Sequence, residues 1–293
     1  MMSEAMAYTR DDMDYLEHGS EPLSLRLFRP VGLGPFPLII DLHGGAWTQG
    51  DLSGCQARDE VLAKAGFAAA ALDFRHAGDG YPTSSVDINY AIRWLKSRAG
   101  EISIDPARVA LTGQSSGGHL AMLAAMRPDD ERYTSIMLAS DTTADTTADT
   151  TADITADIRC VAMTWPVINP LSRYRHALRL RRGDGPPAWT GTIPERHDLY
   201  WQDETNMAEG NPLLALERGE GVETPPALWV QGQPDQIHDY RDPESGLALN
   251  EPERFAARYR EAGGQIDLVY VDQADRDQAS YAALVAFFQK HLG

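Results

Sequence analysis

Residues 113–117 read Gly-Gln-Ser-Ser-Gly, behind the apolar run Val109-Ala110-Leu111 and ahead of a helical stretch over 118–126. A serine at a sharp strand-to-helix turn stands clear of the sheet with its hydroxyl exposed. Glycines two before and two after it leave room for the tight backbone. The helix that begins there aims its free N–H groups at whatever the serine attacks. The chemistry expected is nucleophilic, with Ser115 forming an acyl intermediate. His43-Gly44-Gly45-Ala46-Trp47 follows the apolar strand 37–42, and a small-residue loop in that place supplies donors for an oxyanion. The N–H groups of Gly45, Ala46 and Ser116 are the expected donors. His43, Gly44 and Trp47 are expected to border the substrate pocket, although packing explains Trp47 equally well.

The two motifs, in this order and about 70 residues apart, resemble the α/β-hydrolases of the esterase/lipase group that carry an HGG loop. That group includes hormone-sensitive-lipase-like esterases, acetyl esterases and arylformamidases. The likeness runs from about Leu23 to Leu292. Residues 67–75 resemble the fourth strand of that fold. Tyr81-Pro82 and 87–95 resemble the loop and helix after it, and 104–109 the lead into the serine strand. The resemblance implies one α/β-hydrolase domain over 1–293: a mostly parallel twisted sheet, helices on both faces and a small cap insertion. No metal or organic cofactor is implied.

In this fold the acid and base follow the serine, Asp or Glu first and then His. Asp235 sits just beyond the strand-like Leu228-Trp229-Val230-Gln231-Gly232, where the family places its carboxylate. The base is expected after the last strand, 266–271. The loop there, 272–279, contains no histidine. Three readings follow. A histidine from elsewhere serves: His238, three residues past the acid, or His197 in the cap, with His119 disfavoured inside the serine helix and His291 a surface residue. Alternatively Asp275 or Asp277 fills the position, with slow or altered chemistry. In the third reading hydrolysis is lost.

These residues need elements to hold them. Residues 13–17 suggest an edge strand, and 23–28 alternate apolar and polar as a half-buried strand does. A helix is expected over 55–65, ending at Gly66. Strand and helix then alternate up to the serine, which requires crossovers and a mainly parallel sheet. Ligands of such sheets bind at the carboxyl ends of the strands, where Ser115, Asp235 and the His43 loop all fall. The terminal helix is expected from near Ser280.

Two segments stand apart. Aspartates at 141, 145, 149, 153 and 157 repeat every four residues within a Thr-Ala-rich run. Their spacing matches neither an EF-hand loop nor the glycine-bearing calcium repeats. We read 140–158 as a low-complexity acidic surface insertion. Residues 166–223, with Tyr174, Trp189, Tyr200 and Trp201, are expected to form the cap. Arg173, Arg175, Arg179, Arg181 and Arg182 there read as a solvated helix face, with steering of an anionic substrate as the alternative.

With 293 residues, 43% of them hydrophobic, the chain can bury one large core. Forty-three acidic against 26 basic residues give −17, which argues against nucleic acid and anionic membrane surfaces as partners. The N-terminus has no basic-then-apolar pattern of a signal peptide, and Cys55 and Cys160 read as reduced thiols, so a cytoplasmic location is expected. A homodimer is left open. The expected function is hydrolysis of carboxylic esters of small or medium acyl groups through an acyl-enzyme on Ser115. The alternatives are amide or formamide hydrolysis and a hydrolase-fold binding protein with reduced or no turnover. A lyase or cyclase ranks last.

Overall fold

The computed structural model describes residues 5–19, 21–138 and 154–293. Its strands are β1 (Tyr8–Leu16), β2 (Leu23–Pro30), β3 (Phe36–Leu42), β4 (Ala68–Leu72), β5 (Ile104–Gln114), β6 (Cys160–Thr164), β7 (Ala227–Gln233) and β8 (Ile266–Asp272). The helices are α1 (Gln56–Lys64), α2 (Thr83–Ser97), α3 (Ala99–Ile102), α4 (Ser116–Met126), α5 (Pro170–Arg181), α6 (Ile193–Trp201), α7 (Glu204–Glu209), α8 (Pro212–Glu217), α9 (Glu251–Glu261) and α10 (Arg276–Leu292).

The strands form one sheet in the order β1-β2-β4-β3-β5-β6-β7-β8. β1 and β2 pair antiparallel with each other, β2 pairs antiparallel with β4, and every later pairing is parallel. Parallel strands need helical crossovers, so both faces are covered and the central strands read as near-continuous apolar runs. In β3, Leu38, Ile40 and Leu42 enter the core on one face while Ile39 joins the cluster on the other. α2, α4 and α9 cover the first face, and α1 and α10 the second, where Leu62, Leu284 and Phe288 pack on Ile39, Ala69 and Ala110. The edge strand β1, Tyr-Thr-Arg-Asp-Asp-Met-Asp-Tyr-Leu, is mostly exposed. Its charges make a free sheet edge a poor template for pairing.

The elements differ from expectation at their ends. The edge strand begins five residues earlier than 13, paired to β2 from Tyr8. α1 starts at Gln56, behind a 3-10 turn at Leu52–Cys55 capped by the Asp51 side chain. α10 starts at Arg276 rather than near Ser280. The expected loop 272–279 therefore shrinks to three residues between β8 and α10. The acidic insertion lies outside the described residues up to Asp153. At its end Ala156 is buried, and Lys96 Nζ donates to the carbonyls of Thr155 and Asp157.

Helices α5 to α8 lie between β6 and β7. They rest on the HGG loop and the start of α4: Tyr200 and Trp201 of α6 pack on Trp47, and Gly210 O accepts from His119 Nε2 at 2.7 Å. No described helix is long and apolar enough to cross a membrane. Cys55 and Cys160 are free and buried.

Candidate active site

Because β3, β5, β6, β7 and β8 run parallel, their carboxyl ends gather at one edge of the sheet. Ser115 stands there, between β5 and α4, with φ 54° and ψ −117°. Such a backbone costs roughly 1–3 kcal/mol and persists only where neighbours impose it. Here Ser115 N–H donates to Thr164 O at 3.0 Å, and Ser115 O accepts from the amides of His119 and Val167, each at 3.1 Å. The flanking glycines are needed for space. A Cβ on Gly113 would lie 2.4 Å from the Gly117 carbonyl carbon, and one on Gly117 would lie 2.1 Å from Leu42 O. Ser115 itself is half-buried, open to solvent on one side.

The turn after β7 carries both Asp235 and His238. Asp235 Oδ1 accepts from the amides of Ile237 (2.9 Å) and His238 (3.2 Å), as turn-forming aspartates do. Its Oδ2 accepts from His238 Nδ1 at 2.8 Å and from Gln231 Nε2 at 3.3 Å. With Nδ1 donating, His238 Nε2 carries the lone pair. It lies 3.1 Å from Ser115 Oγ, whose O–H donates to it. Burial pulls the His238 pKa below that of a free imidazole, opposed by the Asp235 charge. Asp235 is held at about 2: its hydrogen bond to and charge interaction with His238, and the two amides, outweigh burial. The pair is therefore ionised carboxylate and neutral imidazole at neutral pH.

The HGG loop lies against the serine. A Cβ on Gly44 would meet Gln114 O at 3.0 Å and Ser115 Cβ at 3.5 Å. Gly45 (φ 126°), Ala46 (φ 52°) and Trp47 (φ 60°) carry the chain through consecutive positive-φ residues. Gly45 has no substitute there, because a Cβ would fall 1.8 Å from Gln49 O. Ser116 is the first residue of α4, so its N–H has no intrahelical acceptor. His43 is 4% exposed, stacks on Phe74 at 4.4 Å and borders a cleft of about 550 Å³ with Asp51 and His76; Ser115 does not line that cleft.

Trp47 does not sit on an open wall. It is 2% exposed, its Nε1 donates to His119 Nδ1 at 3.2 Å, and it packs among His197, Tyr200 and Trp201. The same bonds occupy both nitrogens of His119. His197 is fully buried, and its Nδ1 donates to Ile193 O. His291 packs on Phe287 at the end of α10. Asp275 precedes α10, and the Asp277 side chain is 69% exposed. Of the candidate bases, His238 is the one with a hydrogen bond to Ser115.

Two polar residues differ from expectation: Gln231 was given no role, and Arg173, expected on a solvated helix face, is buried. Gln231 orients Asp235 and is itself held by Trp229 Nε1 at 3.0 Å. Its signal was a lone amide inside a buried apolar strand. Arg173 turns inward from α5 and is 3% exposed, whereas Arg175, Arg179 and Arg181 pair with Glu204, Glu244 and Glu195 at the surface. Among the described residues, the one group of metal-ligand type within reach of a common point is Asp41, Cys55 and Asp59. There Arg58 already holds Asp41 through two bonds of 2.5 and 2.6 Å, and burial pushes the Cys55 thiol up. That is the chemistry of a buried ion pair rather than of a metal cage.

The family model described as BD-FAE matches residues 27–178, just over half of the chain. A probable carboxylic ester hydrolase, LipM of Mycobacterium tuberculosis, is 35% identical over 142 residues, which cover 46% of this chain and 32% of LipM. An arylesterase of Saccharolobus solfataricus is 30% identical over 126 residues, 42% of this chain and 40% of that enzyme. The matches thus span well under half the length of these curated relatives. Among solved structures, carboxyl esterase 2 of Tuber melanosporum superposes with a TM-score of 0.71 at 17% identity, covering 98% of this chain and 88% of that one. A bacterial heroin esterase gives 0.71 at 18% identity, covering 99% and 85%. At such identities the likeness concerns the fold, and it extends over the whole chain. The chain belongs to the BD-FAE family, within the esterase/lipase group of α/β-hydrolases.

Proposed function

We propose that the protein is a serine hydrolase of carboxylic esters with small or medium acyl groups. The observation that carries this reading is the unbroken chain from Ser115 Oγ to His238 Nε2 (3.1 Å) and from His238 Nδ1 to Asp235 Oδ2 (2.8 Å). The activities for which the matched relatives are named, carboxylic ester hydrolase and arylesterase, agree with it.

In this mechanism His238 Nε2 takes the proton of Ser115 as Oγ attacks the ester carbonyl. The imidazolium that forms is stabilised by Asp235, which stays ionised. The negative charge on the former carbonyl oxygen falls to the amides of Gly45, Ala46 and Ser116; one such donor contributes about 3–4 kcal/mol. The tetrahedral adduct collapses, the C–O bond to the alcohol breaks, and His238 returns its proton to the leaving alkoxide. Water then attacks the acyl-Ser115 ester with His238 again as base, and releases the carboxylic acid.

The test is incubation with p-nitrophenyl acetate and with a fluorophosphonate, beside a Ser115→Ala variant. Turnover and covalent labelling that both disappear in the variant support the proposal. A folded parent protein that shows neither overturns it in favour of a binding protein on this scaffold.

A further inference from the structure

Arg173 is a buried arginine of the cap that makes no ion pair with the glutamates that hold Arg175, Arg179 and Arg181 at the surface. Its Nε and Nη1 are buried and find no acceptor among the described residues. A buried guanidinium without a protein acceptor is expensive, and a hydrophobic side chain would fill the same space at less cost. Its position is fixed from two sides of the candidate site. Six residues before it, the Val167 amide donates to Ser115 O. Next to it, Ser172 Oγ accepts from Tyr240 Oη at 3.2 Å, two residues past His238, and the Tyr240 ring stacks on His176 of α5 at 4.1 Å. The start of α5 is thus clamped between the serine elbow and the Asp235–His238 turn. Asp235 makes no hydrogen bond to Arg173: its oxygens accept from Ile237, Gln231 and His238, and its charge favours the guanidinium only through space. The charge of Arg173 nevertheless reaches the site, where it depresses protonation of both His238 and His197.

We propose that Arg173 binds a free carboxylate on the substrate, so that the preferred substrates are esters carrying a second, ionised carboxyl group. The proposal rests on the esterase reading for its chemistry, but the binding site stands on the guanidinium alone. A carboxylate is the complementary acceptor for a planar guanidinium, and a desolvated, charge-assisted contact favours the anionic substrate by roughly tenfold to a hundredfold.

Two pairs of esters test it. The mono-p-nitrophenyl ester of glutaric acid is compared with p-nitrophenyl valerate, and 4-acetoxybenzoate with phenyl acetate, in the wild type, Arg173→Gln and Arg173→Lys. The expected result is a kcat/KM ratio, anionic over neutral, of at least about ten for one pair in the wild type. That ratio should fall at least tenfold in Arg173→Gln and recover in part in Arg173→Lys. A wild-type ratio of one or less for both pairs, or a ratio that Arg173→Gln leaves unchanged, overturns the proposal. Calorimetric titration with glutarate reads the site without turnover. Saturable binding that weakens at least tenfold in Arg173→Gln supports it even if no ester is hydrolysed, in which case it is the esterase reading that fails. Absence of glutarate binding to the wild type overturns the Arg173 site even if neutral esters are hydrolysed.

Discussion

Asp235 and His238 share a single turn, so one carboxylate holds both the backbone and the ring of the residue three positions on: Oδ1 takes the His238 amide and Oδ2 takes its Nδ1. The proposed acid and base are thereby fixed as one unit at the end of β7. The connection after β8, only three residues long, has no part in it. The rigidity matters because a base that swings away from the serine leaves a poor nucleophile.

Replacing Asp235 by Asn keeps the shape of the turn but removes the charge that stabilises the imidazolium. We expect kcat for p-nitrophenyl acetate to fall by about 10³–10⁴-fold, with the fold retained. Steady-state kinetics with circular dichroism as the folding control checks this.

The pH profile follows from the shift of His238. Burial lowers its pKa below 6.5 against the opposing pull of Asp235, and only the neutral imidazole can take the serine proton. kcat/KM should therefore be flat at neutral pH and decline on acidification, with a midpoint below 6.5. A midpoint above 6.5 would mean that the ring is exposed or that another group titrates.

Glu251 provides a pH effect on stability. Burial raises its carboxyl to about 7, although Arg254 and the bonds from Ser172 and Asn169 oppose this. A folded pKa above the unfolded 4.5 means that the folded state binds the proton more tightly. The resulting stabilisation is complete below about 4.5 and is lost as pH rises through 7. In thermal melts between pH 5 and 8, Glu251→Gln should show a smaller decline in Tm than the wild type.

The elbow leaves no room for a methyl group. Gly117→Ala would drive a Cβ against Leu42 O and His43 O, at 2.1 and 2.4 Å, both rigid backbone. We expect a loss of about 3 kcal/mol or more, measured by urea unfolding, or failure to accumulate as soluble protein. Gly100→Ala, where the added Cβ meets nothing within 4 Å, is the control.

Much of this arrangement was legible in the residues. Glycines around Ser115 and after His43 announce tight backbone because nothing larger fits, and the apolar runs of β3, β5 and β7 announce buried parallel strands. The ends of elements were less legible. Arg276 and Asp277 begin α10 although they look like loop residues, because packing of Leu284, Phe287 and Phe288 on the sheet decides the helix. The base was ambiguous for a related reason. Local sequence disfavours His119, inside the serine helix, but does not decide between His238, three residues past Asp235, and His197. What separates them is which ring nitrogens the surrounding backbone and Trp47 already occupy, and that is a tertiary fact. The inward turn of Arg173 was hidden too, since it sits in a run of arginines of which Arg175, Arg179 and Arg181 meet glutamates at the surface.

The most direct measurement is the second-order rate of fluorophosphonate labelling, with the modified peptide identified by mass spectrometry, in the wild type and in His238→Ala. The account predicts that the label falls on Ser115 and that the rate drops by at least about a hundredfold in the variant. Equal rates in a folded His238→Ala protein, or a label on another residue, would contradict it.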